Sequence, residues 1–338
     1  MKTLPIYINI PRTHNHWMGT LIISNYAEDE CQNITAEILR EDNINGNPHD
    51  PKVVLRTVLR ERKNLVRRKL ISGHMPYGVH RILGVEPQYY VFLREPVALL
   101  ASYIRHGNKA MKVRLENNLL PSDAGWSELA LKLYNCPSLS EALDIVLAPD
   151  FCPAGNAYRN LMTHYVSGCS YTEPVSLSQL NVAIDNLRAS TFVGICEEFE
   201  LSVLMMAKKL KWRNIVPMIV GMGYVEERER GVPAEIRARL VRPLAYDQAL
   251  YEVGQDIFHE AVLAESSLLS EAAGQMKEIH QQLIRDDLEI MYRKGLDFFD
   301  VRRSNMQLQK AVEMARTLNA NLSPASPLGR WQKICAAA

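Results

Sequence analysis

The stretch from Tyr89 to Tyr103 constrains the fold more than any other part of the chain. It opens with Tyr89-Tyr-Val-Phe-Leu93, a run of aromatic, branched and aliphatic residues that is typical of a buried strand. Glu95-Pro96 ends this strand, because proline cannot continue a hydrogen-bonded ladder but suits the first turn of a helix. Apolar residues then recur at helical spacing, at Val97, Leu100, Ala101 and Ile104. A buried strand that passes directly into a helix predicts an α/β fold.

Two polar residues of this stretch are candidates for binding an anion. Arg94 stands at the carboxyl end of the strand, where open α/β sheets bind ligands. Ser102 follows two helical turns later and can face back towards Arg94. A guanidinium and a hydroxyl that converge on one point suit a phosphate group. The simpler interpretation is that Arg94 pairs with a carboxylate and that Ser102 is a small residue packed on the helix.

The motifs around these two residues resemble a known enzyme family. Leu93-Arg-Glu-Pro96 is followed by Ser102-Tyr103 and preceded by the box Gly73-His-Met-Pro-Tyr-Gly78. Together they resemble the sulfotransferases that take a sulfuryl group from 3′-phosphoadenylyl sulfate (PAPS), especially the carbohydrate type that includes heparan sulfate 2-O-sulfotransferase. The resemblance implies a P-loop-like three-layer fold with a central parallel sheet flanked by helices. It also implies that Arg94 and Ser102 hold the 3′-phosphate of the donor, and that His74 is the catalytic base.

The residues around His74 can also be interpreted without the resemblance. Gly73 precedes it and Pro76-Tyr77-Gly78 follows, so His74 lies in a tight loop and not on an apolar helix face. A single histidine is more often a structural side chain than a catalyst, but a loop that leads into the donor strand favours a functional role. An imidazole that titrates near neutrality suits removal of a proton from an acceptor hydroxyl. Tyr77 is a candidate for shaping the pocket.

A second candidate for an anion site follows the first predicted strand, Ile6–Ile10. A strand, a loop and a helix in this order form phosphate-cradling loops, in which backbone N–H groups favour an anion. The family sequence Ile-Pro-Lys-Thr-Gly-Gly-Thr is matched here only by Ile10-Pro11-Arg12-Thr13. The resemblance implies a catalytic role for Arg12, which would stabilise charge on the departing phosphate oxygen. It implies donor contacts from Arg12, Thr13, His14, Asn15 and His16.

The segment His14-Asn15-His16 departs from the family pattern, which has glycines and a hydroxyl there. Glycines let the backbone approach a phosphosulfate at positive φ, which histidine adopts less readily. The departure therefore predicts a rebuilt loop or a donor that binds differently. His14 and His16 are also possible metal ligands, but no third ligand stands at a diagnostic spacing, and we expect no metal.

A strongly basic helix is predicted from Pro51 to Leu70. One face carries apolar residues: Val54, Leu55, Val58, Leu59, Leu65 and Val66. The other face carries basic residues: Lys52, Arg56, Arg60, Arg62, Lys63, Arg67, Arg68 and Lys69. A solvated amphipathic helix is the favoured interpretation. The alternative is a site for an anionic acceptor, such as an acidic sugar, or for part of the donor near the C-terminal end of the helix. Nucleic acid ranks third, because no aromatic side chains are interleaved for stacking.

The rest of the chain predicts one α/β domain over residues 1–318 and a flexible tail over 319–338. Asn160–Gly168 resembles a family segment in which Thr163 and Gly168 match, whereas Met162 and His164 replace a glutamine and an arginine. Thr191–Cys196 predicts a second buried strand. Helical patterns cover Ser127–Tyr134, Leu139–Leu147, Val182–Leu187, Leu201–Leu210 and Ile279–Phe299.

Composition describes an ordinary globular chain and limits its partners. The net charge is only +1, so no global field favours nucleic acid or an anionic membrane, and any anion site must be local. Six scattered cysteines without a C-x-x-C pair favour reduced thiols over a disulfide or zinc framework. There is no pattern of a signal peptide or a membrane span. We therefore expect a cytoplasmic protein whose partner is a carbohydrate or small-molecule acceptor, with no nucleic acid and no membrane.

Three functional hypotheses follow from the sequence. The favoured one is a sulfotransferase with PAPS as donor and a hydroxyl of a carbohydrate or another small molecule as acceptor. The alternative is a catalytically inactive nucleotide-binding protein with the sulfotransferase fold, which lost transfer when glycines became His14-Asn15-His16. The third is an unrelated nucleotide-binding or phosphoryl-transfer protein, against which stands the absence of a Gly-x-x-x-x-Gly-Lys-Ser/Thr motif.

Overall fold

The structure of the protein is a computed structural model that describes most of the chain. It covers residues 2–13, 15–35, 51–105, 132, 136, 138–148, 159–169, 174–216, 232–294 and 305–338. The side chains of residues 15, 16, 51, 52, 284–294 and 305–311 are not described. The chain divides into two compact units, where the sequence predicts one domain. Unit one comprises residues 1–13, 32–193 and 232–256, and unit two comprises residues 14–31, 194–231 and 257–338.

A five-stranded parallel sheet flanked by helices is the main architectural feature, as the α/β prediction requires. Its strands are β1 (Thr3–Ile8), β2 (Cys31–Asn33), β3 (Leu70–Gly73), β4 (Glu86–Leu93) and β5 (Phe192–Ile195). Their order across the sheet is β2-β3-β1-β4-β5. Ile6 of β1 is in register with Ile71 of β3 on one side and with Tyr89 of β4 on the other. The central position of β1 explains its complete burial from Ile6 to Ile8.

The helices are numbered in chain order. They are α1 (Asn15–Asn25), α2 (Pro51–Leu65), α3 (Val79–Leu83), α4 (residues 96–105), α5 (Leu139–Leu147), α6 (Leu161–Ser167), α7 (Leu177–Arg188), α8 (Phe199–Leu210), α9 (Ala234–Leu240), α10 (Ala245–Leu263), α11 (Ser267–Lys294), α12 (Asn305–Ala320) and α13 (Pro327–Ala337). Among the helices of the described residues, none has the length and apolarity needed to cross a membrane. The predicted helix Ser127–Tyr134 lies outside the described residues except at Lys132.

The region around Leu70 differs from the prediction of one helix from Pro51 to Leu70. Helix α2 ends at Leu65, and Leu70–Gly73 forms the buried strand β3. The four residues of this strand are too few to show a periodicity of their own. The basic residues before Leu70 are compatible with a continued helix, so the sequence gives no signal for the end of α2 at Leu65. Burial between β1 and β2 makes Leu70-Ile-Ser-Gly73 a strand. Its carboxyl end therefore places His74 directly after a central strand.

Helix α4 begins as its sequence predicts. The carboxylate of Glu95 accepts hydrogen bonds from the backbone N–H groups of Val97 at 3.3 Å and Ala98 at 2.7 Å, and it caps the helix while Pro96 occupies the first turn. The apolar face of α4 packs in a core with α5 and α9. This core comprises Val97, Leu100, Tyr103, Ile104, Ala142, Leu143, Val146, Ile236, Leu240 and Leu244. The packing fixes the rotation of α4 and hence the direction of Ser102.

In unit two, the C-terminal segment is not the loose tail that the sequence predicts. Helix α13 starts at a Ser326 cap and buries Trp331, which is 1 % exposed. The Trp331 indole donates a hydrogen bond to the carbonyl oxygen of Leu204 on α8 at 3.1 Å, and the Lys208 ammonium lies 5.5 Å from the ring centroid. The Ser-Pro-Ala-Ser-Pro composition that predicted flexibility instead provides the cap and the first turn of this helix.

We expect Trp331→Ala to lower the free energy of unfolding by about 3–5 kcal/mol, because it removes a buried aromatic side chain and its hydrogen bond. Ile334 of the same helix is 37 % exposed, so Ile334→Ala should cost about 1 kcal/mol or less. Urea denaturation of the two variants measures both values. Equal, small effects would mean that this segment does not pack on its unit in solution.

Candidate functional site

Three predicted site residues lie at the carboxyl edge of the sheet in unit one. Arg12, His74 and Arg94 come shortly after the carboxyl ends of β1, β3 and β4, which pair in parallel. Parallel pairing brings these ends to one edge, the usual binding edge of such sheets. The backbone N–H of Asn9 also donates to the carbonyl oxygen of Gly73 at 2.9 Å, which ties the loop after β1 to the loop after β3.

Arg12, Arg94 and Ser102 form a connected group at this edge. Nε of Arg12 donates a hydrogen bond to Oγ of Ser102 at 2.9 Å. Nη1 of Arg94 donates to the backbone carbonyl oxygen of Arg12, also at 2.9 Å. Arg12 has φ of +71°, a left-handed conformation that costs energy for a residue with a side chain. The surrounding hydrogen bonds hold this conformation, which indicates a constrained loop after β1.

The electrostatics of this group suit an anion. It contains two guanidinium groups, and among the described residues no carboxylate pairs with Arg94. The adjacent Glu95 is engaged elsewhere, since it caps α4 and forms an ion pair with Arg237 at 3.2 Å. Arg94 and Ser102 are each hydrogen-bonded to Arg12, Arg94 at its backbone carbonyl and Ser102 at its side chain, and their convergence on one anion stays a prediction. The simpler interpretation, an Arg94–carboxylate pair, has no support in the described residues.

His74 is held in the neutral tautomer that a general base requires. Its Nδ1 lies 2.5 Å from the backbone carbonyl oxygen of Asn9, an acceptor, so Nδ1 carries the hydrogen and Nε2 keeps its lone pair. The backbone N–H of His74 donates to Oγ1 of Thr35 at 2.8 Å, which fixes the loop. Burial lowers the pKa of His74 to about 4, and the Asn9 carbonyl opposes this shift only in part. The imidazole is therefore neutral at physiological pH, and its pKa lies below the near-neutral value expected from the sequence, which makes it a weaker base than an exposed histidine.

The remaining predicted contacts of the loop after β1 are less informative. The hydroxyl of Thr13 is fully buried and donates to the carbonyl oxygen of Ile10 at 2.7 Å, a structural contact. His14 lies outside the described residues. Asn15 and His16 belong to α1, where their backbone is helical and their side chains are not described. Their donor contacts stay predictions. In the part of the chain that the structure describes, no cluster of His, Cys, Asp or Glu could hold a metal.

Helix α6 contacts both the Arg94 side and the His74 loop of the site. The backbone N–H of Arg94 lies 3.5 Å from the sulfur of Met162, near the start of α6. At the other end, the carbonyl oxygen of Tyr165 accepts a hydrogen bond from the backbone N–H of Tyr77 at 2.8 Å. Gly168 has φ of +76°, and a Cβ there would lie 2.5 Å from the Tyr77 carbonyl oxygen. This close approach explains why glycine stands at position 168.

Tyr77 is fixed by a second aromatic ring. It stacks on Tyr89 with the ring centroids 4.0 Å apart. The hydroxyl oxygen of Tyr89 accepts a hydrogen bond from the backbone N–H of Gly78 at 3.0 Å and lies 2.9 Å from Nδ1 of His80. These contacts anchor the loop that follows His74 to strand β4. Tyr77 therefore has a structural role in the loop, and its predicted part in shaping a pocket stays a prediction.

Asp247, on α10, supports the site and was missed by the sequence analysis. Its carboxylate is 1 % exposed and accepts three hydrogen bonds at the start of α6: from the backbone N–H of Met162 at 3.1 Å, and from the backbone N–H and the hydroxyl of Thr163, both at 2.8 Å. The carboxylate caps α6 from another helix and neutralises its N-terminal dipole. Burial raises the pKa of Asp247 to about 6, although the hydrogen bonds from Thr163 and Met162 act in the opposite direction.

No sequence signal could have identified Asp247, because it lies 84 positions from Thr163 along the chain. Thr163 donates two hydrogen bonds to this buried carboxylate, which gives a structural reason for a threonine at this position. Comparison with known proteins adds no assignment: the sequence matches no protein-family model and no curated protein with which it was compared. The interpretation of the site therefore depends on its geometry.

We expect the stability advantage of the wild type over Asp247→Asn to depend on pH. The folded protein binds the Asp247 proton with a pKa of about 6, above the ordinary value of 3.8, so the folded state gains stability from the protonated carboxyl. This contribution is complete below the ordinary pKa and is lost as the pH rises through 6, a change of about 3 kcal/mol. Urea denaturation from pH 4 to pH 7 measures it.

The control for this prediction is Asp256→Asn, on the same helix but exposed. Its unfolding free energy should follow the wild type across the pH range. A difference between wild type and Asp247→Asn that stays constant with pH would contradict a raised pKa for this carboxyl.

Proposed function

We propose that the protein is a P-loop-like PAPS-dependent sulfotransferase that acts on a hydroxyl of a carbohydrate or another small acceptor. The observation that supports this most is the group Arg94–Arg12–Ser102 at the carboxyl edge of the sheet, beside loops tied to His74. An anion held there and a neutral imidazole on the adjacent loop supply the two functions that sulfuryl transfer needs: charge neutralisation and a general base.

The donor would bind through its phosphate groups. Arg94 uses one N–H to hold the Arg12 carbonyl oxygen at 2.9 Å, and a guanidinium has further donors for a phosphate. Ser102 accepts a hydrogen bond from Nε of Arg12 at 2.9 Å, and its hydroxyl would contact the same phosphate. The chemistry of this set fits the 3′-phosphate that the family resemblance assigns to Arg94 and Ser102. Arg12 would stand near the phosphosulfate.

Transfer would then require the chain to move one proton and to stabilise one charge. Nε2 of His74 would accept the proton of the acceptor hydroxyl as its oxygen attacks sulfur. The bond between sulfur and the bridging phosphate oxygen breaks, and negative charge develops on that oxygen. Arg12 would stabilise this charge, and it stays protonated throughout because a guanidinium does not give up a proton at these pH values.

In the alternative proposal, the protein binds the nucleotide but does not transfer a sulfuryl group. His14-Asn15-His16 replaces the family glycines, and α1 is already helical at Asn15, so the loop has few residues with which to wrap a phosphosulfate. A nucleotide-binding protein without transferase activity would have the same Arg94 and Ser102 contacts. Binding experiments and transfer experiments must therefore be done separately.

We expect 3′,5′-diphosphoadenosine to bind the wild type more tightly than ATP with magnesium does. Arg94→Ala should weaken binding of the diphosphate roughly 30- to 150-fold, because a charge-assisted contact is lost. Ser102→Ala should weaken it roughly 10-fold or more, because a hydrogen bond from an uncharged hydroxyl to an ionised phosphate is lost. Isothermal titration calorimetry measures these changes. The control is Arg81→Ala, which removes an exposed arginine on α3 and should leave the affinity for the diphosphate at the wild-type value. Unchanged affinity in Arg94→Ala, or a preference of the wild type for ATP, would contradict the assignment.

We expect His74→Asn to lower kcat for sulfate transfer by about 10²- to 10⁴-fold and to leave diphosphate affinity unchanged. The asparagine amide can still donate to the Asn9 carbonyl oxygen, so the loop should stay in place.

In the wild type, kcat/KM should decrease on the acidic side with an apparent pKa near 4 and not near 6.5, because burial lowers the pKa of His74 to about 4. Transfer from ³⁵S-labelled donor to a panel of hydroxylated acceptors measures both. Diphosphate binding without any transfer would select the inactive alternative.

A further inference from the structure

The basic residues of the chain are concentrated around helix α2. Between positions 56 and 69 there are seven lysines and arginines and one glutamate, whereas the whole chain has a net charge of only +1. The seven residues are Arg56, Arg60, Arg62, Lys63, Arg67, Arg68 and Lys69. Net charge averages over the chain and conceals this local excess, so the expectation of no membrane partner, which was argued from net charge, does not extend to this part of unit one.

Three of the seven, Arg67, Arg68 and Lys69, lie at the edge of the sheet opposite the candidate site. Lys2 precedes β1, and its ammonium donates to the carbonyl oxygens of Val66 at 2.6 Å and Arg68 at 3.0 Å. Residues 66–69 immediately precede β3, so they lie at the amino edge of the parallel sheet. Arg12, His74 and Arg94 follow the carboxyl ends of their strands. The end of α2 therefore does not reach a donor at that site, which corrects the expectation that it holds part of the donor.

Some of the seven residues have structural contacts, and others do not. Arg62 donates to the carbonyl oxygen of Leu83 at 3.4 Å, and Arg68 donates to the side chain of Gln32 at 3.3 Å. Arg60 forms an ion pair with Glu61, the one acidic residue of the segment. Arg56, Lys63 and Arg67 are exposed and form no ion pair within the described part of the chain. These three charges need another explanation than the fold.

An exposed leucine lies among these charges. Leu59 is 59 % exposed, three residues after Arg56 and four before Lys63, so the three side chains share one helix face. The opposite face is apolar and buried, with Val54, Val58 and Leu65 almost fully covered. The outward face, which we term the basic face, therefore combines cations with one large apolar side chain. It comprises Arg56, Leu59, Arg60 and Lys63 of α2, together with Arg67 in the turn that follows the helix.

We propose that the basic face docks unit one onto the surface of an anionic phospholipid bilayer. The phosphate and carboxylate headgroups would neutralise Arg56, Lys63 and Arg67, each of which strengthens adsorption roughly fivefold. Leu59 would enter the interface between headgroups and acyl chains, where an exposed apolar residue gains contact. Because the apolar face of α2 is buried in the protein, the helix would bind at the membrane surface and would not insert into the bilayer. The candidate site, at the other edge of the sheet, would stay accessible.

Nucleic acid fits the same charges less well. A duplex backbone offers phosphates to the arginines but gives Leu59 no apolar environment. Single strands bind on aromatic platforms, and within the described residues the large exposed apolar side chains are all aliphatic or methionine. The combination of cations and an exposed leucine therefore favours a lipid surface. This inference does not depend on the proposed sulfotransferase activity.

Sedimentation of the full chain with liposomes tests the proposal. We expect binding to phosphatidylcholine vesicles that contain phosphatidylserine, little binding to phosphatidylcholine alone, and release by salt. The triple variant Arg56→Glu, Lys63→Glu, Arg67→Glu should bind at least about 30-fold more weakly. A control variant makes the same change in net charge at exposed positions outside the basic face: Arg242→Glu, Lys277→Glu, Lys333→Glu. It should bind the vesicles about 30-fold more tightly than the variant of the basic face. Melting temperatures establish that both variants fold.

Leu59→Gln distinguishes a lipid surface from a generic polyanion. It should weaken binding to anionic vesicles several-fold and leave binding to duplex DNA unchanged. Equal losses in the two triple variants, or binding to duplex DNA that exceeds vesicle binding and ignores Leu59→Gln, would overturn the proposal. Absence of binding to anionic vesicles at low salt would overturn it as well.

Discussion

The parallel pairing of β1 with both β3 and β4 is the constraint on which the candidate site depends. Ile6 is in register with Ile71 and with Tyr89, so the three strands end close together and their following loops share one edge. The Asn9–Gly73 hydrogen bond and the Asn9–His74 contact then fix two of these loops to each other. A shift of β1 against either neighbour would separate Arg12 from Arg94 or His74 from Asn9. The core strands thus determine the geometry of the polar residues.

Several features of unit one cost stability and make sense as parts of a site. Arg12 adopts a left-handed backbone conformation, Asp247 is a buried carboxyl with a raised pKa, and the Arg94 guanidinium is hydrogen-bonded to the Arg12 backbone. A glycine or an uncharged residue at these positions would remove the cost in stability. Each feature nevertheless positions a charge or a loop at the carboxyl edge. Helix α6 connects them, because Asp247 holds its start and Tyr77 contacts its end. The site is therefore supported by a helix outside the sheet as well as by the strands.

The two edges of the sheet have different electrostatic properties. At the carboxyl edge, Arg12 and Arg94 are partly buried and bonded to backbone and hydroxyl groups, which suits one bound anion of defined shape. At the amino edge and along α2, exposed cations surround Leu59, which suits an extended anionic surface.

The sequence by itself predicted the local elements whose signal lies in consecutive residues. Tyr89–Leu93, Pro96 and the helix that follows were predicted because apolar spacing and a proline act within a few residues. Arg94 and Ser102 could be placed near one sheet edge from the sequence because one strand end and the helix that follows it carry them. Tertiary structure decided the rest: β3 is a strand because its neighbours bury it, Arg12 contacts Ser102 across 90 positions, and Asp247 reaches α6 from a distant helix. These contacts join residues that are far apart in the chain, so only the packing of strands and helices in the folded protein brings them together.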